Sequence, residues 1–473
     1  MAFRLKTLLK WILRICAWWN MSRIAAWLLA RQIEPVPGMQ RSGNSRYCIL
    51  ILNLNKPGFP ADVAASFSAA SDIELVSWPT YTLTSFSTAL LSPALSNKRY
   101  DTDDPTIAVT KLRYRNFLFR VWQHLLRYKH IDAVLAANYG YYNQREFAAA
   151  LREAGTPFIA LHKENVKSPG RIEYWRPIYQ ARGRFEGSKI LVYSDTERQL
   201  QITGGVASPN DIIVTGMPRL DRAHRSRHQN KRLRNTVPRQ ILFFAFWKRE
   251  KLTATERVSS KRTRTESNEE WGKRNWNDLC EGTYRAIVEL ARSRPDIRVV
   301  MKTKPQSVRV EQIIQMLGDT VPTLPENFII VKGGDPIELI AESDAVIGFN
   351  STALLEALAC GKPIIVPDFA EAKDPAMTNL IIDLGAAVNK AGSPAEIETL
   401  AHRFLDAPNT SYHLTQTAAD TLRHWVGNDD GAASQRVLEA VRTEIERAEL
   451  ARASSPSSRS RRLDCMPAAR LMD

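Results

Sequence analysis

The stretch IGFNSTALLEALACGKPIIVP, residues 347–367, brings together residue types that can hold a phosphorylated ligand. Asn350, Ser351 and Thr352 follow a short apolar run, and Glu356 comes one helical turn after Thr352. The apolar run predicts a strand over Ala345–Gly348. The next residues predict a helix over Thr352–Cys360, stopped by Gly361 and Pro363. Small hydroxyl and amide side chains at such a junction serve as a plain helix cap. At the C-terminal end of a central strand they do more, because the free N–H groups and positive dipole end face a ligand phosphate. Glu356 shares a helix face with Thr352, so it can accept hydrogen bonds from a ribose whose phosphates sit at the helix start. A nucleoside diphosphate satisfies both ends.

Cations converge on the same chemistry. VVMKTKP ends a predicted strand in Lys302 and Lys304, and FFAFWKRE ends another in Lys248 and Arg249. Strand-end lysines are ordinarily just solvated; at a diphosphate they neutralise charge on the departing group. In ALHKENVKSPGR, His162, Lys163 and Glu164 follow an apolar strand directly, although a lone His among eight is ordinarily structural. NLNKPGFPAD (Asn53–Asp62) follows the first strand and lacks Gly-x-Gly-x-x-Gly spacing, which excludes an NAD-type site and leaves a substrate loop. DTDDP (Asp101–Pro105) is expected to be a solvated loop.

The elements that must position these groups alternate in type. Predicted strands are Tyr47–Asn53, Ile73–Trp78, Ile131–Ala136, Pro157–Leu161, Ile190–Tyr193 and Ile212–Thr215, separated by helical patterns. A second series follows at Ile241–Phe246, Ile297–Lys302, Phe328–Val331, Ala345–Gly348 and Pro363–Val366. This pattern predicts an α/β protein with two Rossmann-like parallel-sheet domains facing across a cleft, where strand C-termini place the ligand. The expected organisation is a basic amphipathic segment over 1–34, an acceptor domain over 46–221 and a basic linker over 222–239. A nucleotide-donor domain over 240–428 carries a mobile insert at 251–275. A C-terminal helix over 429–450 and a disordered tail over 451–473 complete the chain.

At 473 residues the chain is long enough for two domains with sizeable cores. The five cysteines lack Cys-x-x-Cys spacing, which argues against a disulfide framework or a zinc site and for a reducing compartment. The net charge of +15 concentrates in the linker, the insert and the tail. No aromatic-basic interleaving of an RNA-binding sheet accompanies it, so no specific nucleic acid is expected. The first 32 residues hold six Lys/Arg and no acid, and Arg14 and Arg23 interrupt any membrane-spanning run. Leu8, Ile12, Ile15 and Trp19 share one helical face. That predicts a helix lying in an anionic cytoplasmic leaflet or one packed on the protein's own body, with an organellar transit peptide as a third, weaker alternative.

Glu356, Ala357, Gly361 and Pro363 together resemble the Glu-Ala-(three residues)-Gly-x-Pro element of GT-B glycosyltransferases, and Asn350–Thr352 resembles the capsular and surface-polysaccharide branch. VVMKTKP is similar to the Lys-x-His-Pro element of polyol-phosphate transferases, with Lys304 in place of the His. VTGMPRLD (Val214–Asp221) resembles the turn before the second domain in these enzymes and in UDP-sugar 2-epimerases. A second Glu that GT-B enzymes often carry eight positions earlier is replaced by Gly348. The resemblance implies a donor site of Lys248, Lys302, Lys304, Asn350, Ser351, Thr352 and Glu356, with Glu164 or His162 taking the acceptor proton. It implies no metal and no cofactor beyond a nucleotide-activated sugar as co-substrate.

The function so implied is transfer of a sugar, or a polyol phosphate, from a nucleotide-activated donor to a surface glycan or lipid-linked acceptor. The enzyme is expected in the cytoplasm, peripherally on the inner face of the cell membrane. The alternatives are a UDP-sugar 2-epimerase of the same fold, which usually carries Asp-Ser-Gly-Gly where this chain has Phe349–Thr352, and a non-catalytic basic membrane-associated protein.

Overall fold

The computed structural model describes residues 2–39, 45–93, 95, 100–101, 104–163, 165–229, 238–247, 275–303, 314–315, 317, 323–406 and 413–454. Glu164, Lys248 and Lys304, nearly all of the expected insert and the tail beyond 454 lie outside the described residues.

A helical hairpin comes first, α1 (Ala2–Trp18) and α2 (Ser22–Gln32), turned at Asn20, whose φ is +56°. The first sheet comprises β1 (Glu34–Pro35), β2 (Tyr47–Ile51), β3 (Ile73–Ser77), β4 (Ala133–Ala136), β5 (Phe158–Leu161), β6 (Lys189–Val192) and β7 (Ile212–Val214). Its helices are α3 (Phe59–Phe67), α4 (Thr82–Leu90), α5 (Pro105–Leu125), α6 (Tyr142–Glu153), α7 (Pro169–Gln180), α8 (Asp195–Thr203) and α9 (Leu220–Gln229). The spatial order is β1-β3-β2-β4-β5-β6-β7, parallel except for β1 on β3. β4 and β5 bury every residue, as strands covered on both faces must, which is why they read as unbroken apolar runs.

The second sheet repeats the plan with β8 (Gln240–Phe244), α10 (Asn277–Ser293), β9 (Arg298–Thr303), β10 (Phe328–Lys332), α11 (Pro336–Glu342), β11 (Ala345–Gly348), α12 (Ala353–Ala359), β12 (Ile364–Pro367), β13 (Asn389–Ala391), α13 (Pro394–Asp406) and α14 (Gln416–Val426). Its order is β10-β9-β8-β11-β12-β13, all parallel. The order reverses between β2 and β4 in one lobe and between β8 and β11 in the other. Crevices for ligands open at such reversals.

The chain crosses between lobes twice. Of the basic run expected as a linker over 222–239, the first part belongs to the helix Leu220–Gln229, and residues 230–237 lie outside the described residues. Leu220 and Ala223 are buried with Leu355 and Leu358 of α12, and Arg222 pairs with Asp335 and Glu338. At the return, Gly427 (φ +58°) passes so close that an added Cβ would sit 1.9 Å from the Tyr193 carbonyl oxygen. The helix α15 (Ala433–Ser454) then packs back on the first lobe, with Val437, Val441 and Ile445 beside Ile49, Phe59 and Val63. Asp221 fixes this return, accepting the Ser434 and Ala433 amides at 2.8 and 3.2 Å.

The N-terminal hairpin does two things. Leu13, Cys16, Ala25, Ala26 and Leu29 join the core containing Phe86, Phe117 and Trp122, so one face packs on the protein itself. The other face leaves Trp11, Trp18, Trp19 and Trp27 exposed. Among the described residues, no helix is long and apolar enough to cross a membrane. Asp101, expected in a solvated loop, pairs with Arg145 at 2.6 Å and is mostly covered.

Candidate functional site

The loop leaving β11 sits at the reversal of the second sheet. Gly348 ends the strand where a Cβ would meet Leu354 Cδ2 at 3.0 Å and Phe244 Cβ at 3.3 Å, so a carboxylate side chain has no room there. Asn350 adopts φ +48°, which Asn tolerates better than most residues. Its amide donates to Leu380 O and its oxygen accepts from Ile382 N, both at 3.1 Å. Asn350 is thus a staple that fixes the loop. Ser351 Oγ accepts the Ala353 amide at 3.3 Å, and Thr352 occupies the cap position without a side-chain cap bond. The following helix has only seven residues, so its dipole is short and formal charges must do most of the electrostatic work.

Those charges are close by. Glu356 is buried, and its Oε1 lies 3.5 Å from Arg219 Nε, which reaches over from the other lobe. Glu356 Oε2 has no hydrogen-bond partner among the described residues. Burial raises the Glu356 pKa above the ordinary carboxylate range, and Arg219 only partly offsets this. Arg219 is held by Asp62 at 2.9 Å and by Tyr193 Oη at 3.1 Å, while Tyr193 donates to Asp62 at 2.6 Å. Burial works against the Arg219 charge, but Asp62, Tyr193 and Glu356 hold it ionised. Lys302, half-buried at the end of β9, donates to Gly333 O at 2.6 Å. Burial lowers its pKa, against the pull of Glu356 and Asp335. Lys302, Glu356 and the Asn350–Thr352 loop therefore share one corner of the second sheet.

Of the two expected bases, His162 is among the described residues and Glu164 is not. His162 is 2 % exposed, with Nε2 3.4 Å from Glu197 Oε1 and its ring against Tyr139. Glu197 also takes Lys167 at 2.5 Å and Tyr179 at 2.8 Å. Burial alone would raise this carboxyl, but Lys167 and His162 outweigh it and push its pKa down to about 2. His162 belongs to a buried ionic network of the first lobe.

Arg219 and Asp62 are the residues whose joint importance the sequence hid. Both stand in quoted stretches, VTGMPRLD and NLNKPGFPAD, yet 157 residues separate them. A lone acid after the first strand and a lone Arg before the second domain were the available signals.

Two Rossmann-like lobes whose strand C-termini are bridged by Asp62, Arg219 and Glu356 define the GT-B architecture. Residues 277–370 match the family model described as capsule polysaccharide biosynthesis protein. Among solved structures, the chain is similar to UDP-GlcNAc 2-epimerase from Neisseria meningitidis bound to UDP-GlcNAc, at 13% identity and TM-score 0.47, covering 84% of this chain and 99% of that one. It is similar to the S. aureus MnaA–UDP structure at 14% identity and TM-score 0.45, covering 85% and 97%. Anabaena Alr3699/HepE in complex with UDP and glucose aligns at 13% identity and TM-score 0.41, covering 84% and 99%. No curated protein matches the chain.

Proposed function

We propose that the protein is a glycosyltransferase moving a sugar, or a polyol phosphate, from a nucleotide-activated donor to a surface glycan or lipid-linked acceptor. The observation that carries this reading is Glu356. It is a buried carboxylate with one oxygen fixed by Arg219 and the other unpartnered among the described residues, beside Lys302 at the reversal of a Rossmann-like sheet. A buried acceptor without a donor is costly, and ribose hydroxyls would supply the donors. Ser351 and Thr352 offer hydroxyls to the phosphates, and Lys302 offers the charge that a departing phosphate needs. The nucleotide-activated sugar is the co-substrate, and these side chains rather than a metal take up the leaving charge. Lys248, Lys304 and Glu164 keep their assigned roles within this proposal, with Glu164 as the group accepting the acceptor proton.

The exposed tryptophans and the acid-free sequence of the hairpin support a place on the anionic inner surface of the cell membrane. The experiment is a thermal-shift screen against UDP, CMP, CDP, GDP and ADP, followed by transfer assays with the sugar donor of whichever nucleotide stabilises. The expected result is stabilisation by one nucleotide and product only when acceptor is present. Product formed from donor alone with the sugar epimerised at C2 replaces the transferase with a 2-epimerase. No stabilisation by any nucleotide removes the donor site.

A further inference from the structure

The α1–α2 hairpin and the cavity beside it play no part in the donor site. Trp18 is 70 % exposed and Trp19 75 %, and Leu8, Trp11, Ile15 and Trp27 stand out of the same hairpin. Soluble surfaces scatter such residues singly, whereas a cluster marks an interaction face. Lys6, Lys10, Arg14, Arg23 and Arg31 share these helices, which contain no acid at all. Tryptophan with lysine and arginine is the composition that seats a helix among anionic headgroups.

Next to this face, a cavity of about 350 Å³ opens where the order of the first sheet reverses. Lys10, Arg14, Lys56, Tyr81, Thr84 and Gln144 contribute to its lining, which includes three cations and no carboxylate. Lys10 Nζ lies 5.4 Å from the Tyr81 ring centroid and Lys56 Nζ 4.8 Å from that of Tyr141, contacts that hold the cationic heads in place. Two buried polar atoms of the lining have no hydrogen-bond partner among the described residues. They are Arg14 Nε, a donor, and Gln144 Oε1, an acceptor. A ligand carrying both an anionic oxygen and a hydroxyl satisfies the two together.

We propose that the exposed face of the hairpin docks on an anionic bilayer and that the adjoining cavity takes the phosphate of a hydroxyl-bearing lipid headgroup from it. Lys10 and Arg14 belong to the same helix as Trp11 and Trp18, so one docking event both anchors the protein and brings a headgroup to the cavity. The inference rests on the transferase reading in taking this lipid as the acceptor. Binding at the cavity needs no turnover.

The test uses the full chain in two formats. One is flotation with phosphatidylcholine vesicles, with and without phosphatidylglycerol. The other is calorimetry with monomeric dihexanoyl phosphatidylglycerol and with glycerol phosphate. Anionic vesicles should bind at least about tenfold more tightly than neutral ones. The double variant Trp18→Ser/Trp19→Ser should lose vesicle binding about tenfold yet keep the monomeric lipid. The double variant Lys10→Gln/Arg14→Gln should lose the monomeric lipid about tenfold or more. Lys56→Gln, outside the hairpin, should weaken the same ligand without lowering the melting temperature, which covers misfolding of a hairpin variant. Equal binding to neutral vesicles overturns the proposal. So does monomeric lipid binding that ignores both cation variants, or glycerol phosphate bound as tightly as the lipid, which would mark a site for free phosphates. A protein that binds lipid as described but no nucleotide leaves this site standing and removes the donor reading instead.

Discussion

Arg219 Nε of the N-terminal lobe lies 3.5 Å from Glu356 Oε1 of the C-terminal lobe. The same guanidinium is 2.9 Å from Asp62, so one cation stands between two buried carboxylates from opposite lobes. Such an arrangement is stable only while the cation remains, because an uncompensated buried charge costs several kcal/mol. It also links Glu356 to Asp62 across the lobes, so a donor engaging Glu356 in the proposed site would be felt at Asp62 through Arg219.

Replacing Glu356 with Ala should weaken the cognate nucleotide by about 1.5–3 kcal/mol, the loss expected for hydrogen bonds to a charged group. Arg219 keeps Asp62, so the fold should survive. Burial raises the Glu356 pKa, and the ionised form is the better acceptor. Wild-type affinity should therefore fall as pH drops toward that raised pKa, earlier than for an exposed carboxylate, and Glu356→Gln should remove the dependence. Calorimetry across pH reads both effects. Wild-type affinity in Glu356→Ala, or a pH profile unchanged in Glu356→Gln, would remove the ribose assignment.

In the proposed transfer Lys302 would meet charge that grows as the bond to the sugar breaks, so it should matter more in the transition state than in the ground state. Lys302→Ala should lower kcat by about 10²-fold or more, with a smaller change in donor KM. Chelation with EDTA should leave the wild-type rate unchanged. Steady-state kinetics decide: a wild-type kcat in the variant moves the phosphate site elsewhere.

Much of this architecture was legible because buried parallel strands cannot alternate in polarity. The runs at Val134–Ala136 and Ile159–Leu161 announce themselves by continuous apolar character. The staple at Asn350 was not legible, since its partners Leu380 and Ile382 lie in irregular chain about 30 residues on. The helix over Leu220–Gln229 was hidden by its own basic composition. It forms because Leu220 and Ala223 bury against α12 while Arg222 finds two acids 113 and 116 residues away. The first 32 residues read as one amphipathic helix, and the break at Asn20 makes them two. Deleting the segment would strip Leu13, Cys16 and Leu29 from the core, so point substitutions at exposed tryptophans are the cleaner probe.

The proton-accepting role lies between His162 and Glu164, and substitution tells them apart. His162 is enclosed beside Glu197, so His162→Gln should lower the melting temperature and leave the pH profile of kcat in place. Glu164→Gln should lower kcat about 10²-fold or more without destabilising the protein, as loss of a general base does. Kinetics paired with thermal melts separate the two. The reverse outcome, a stable His162→Gln protein with a shifted pH optimum, would return the proton to His162.

The network around Glu197 makes a prediction about acid stability. Its carboxyl is pushed down to about 2, although burial alone would raise it, because Lys167 and His162 favour the charged form. In the unfolded chain the same group titrates at about 4.3. A depressed folded pKa means that the unfolded state binds the proton more readily, so this stabilisation is complete above about pH 5. It is lost progressively as pH falls from there toward 2. The shift corresponds to about 3 kcal/mol, a large share of the stability of an ordinary domain. Glu197→Gln should therefore destabilise the protein strongly at pH 7. The variant should also show a shallower loss of stability between pH 5 and pH 3 than the wild type. Chemical denaturation at a series of pH values measures both. Parallel curves for the two proteins would mean that the fold does not hold the Glu197 carboxyl below its unfolded value.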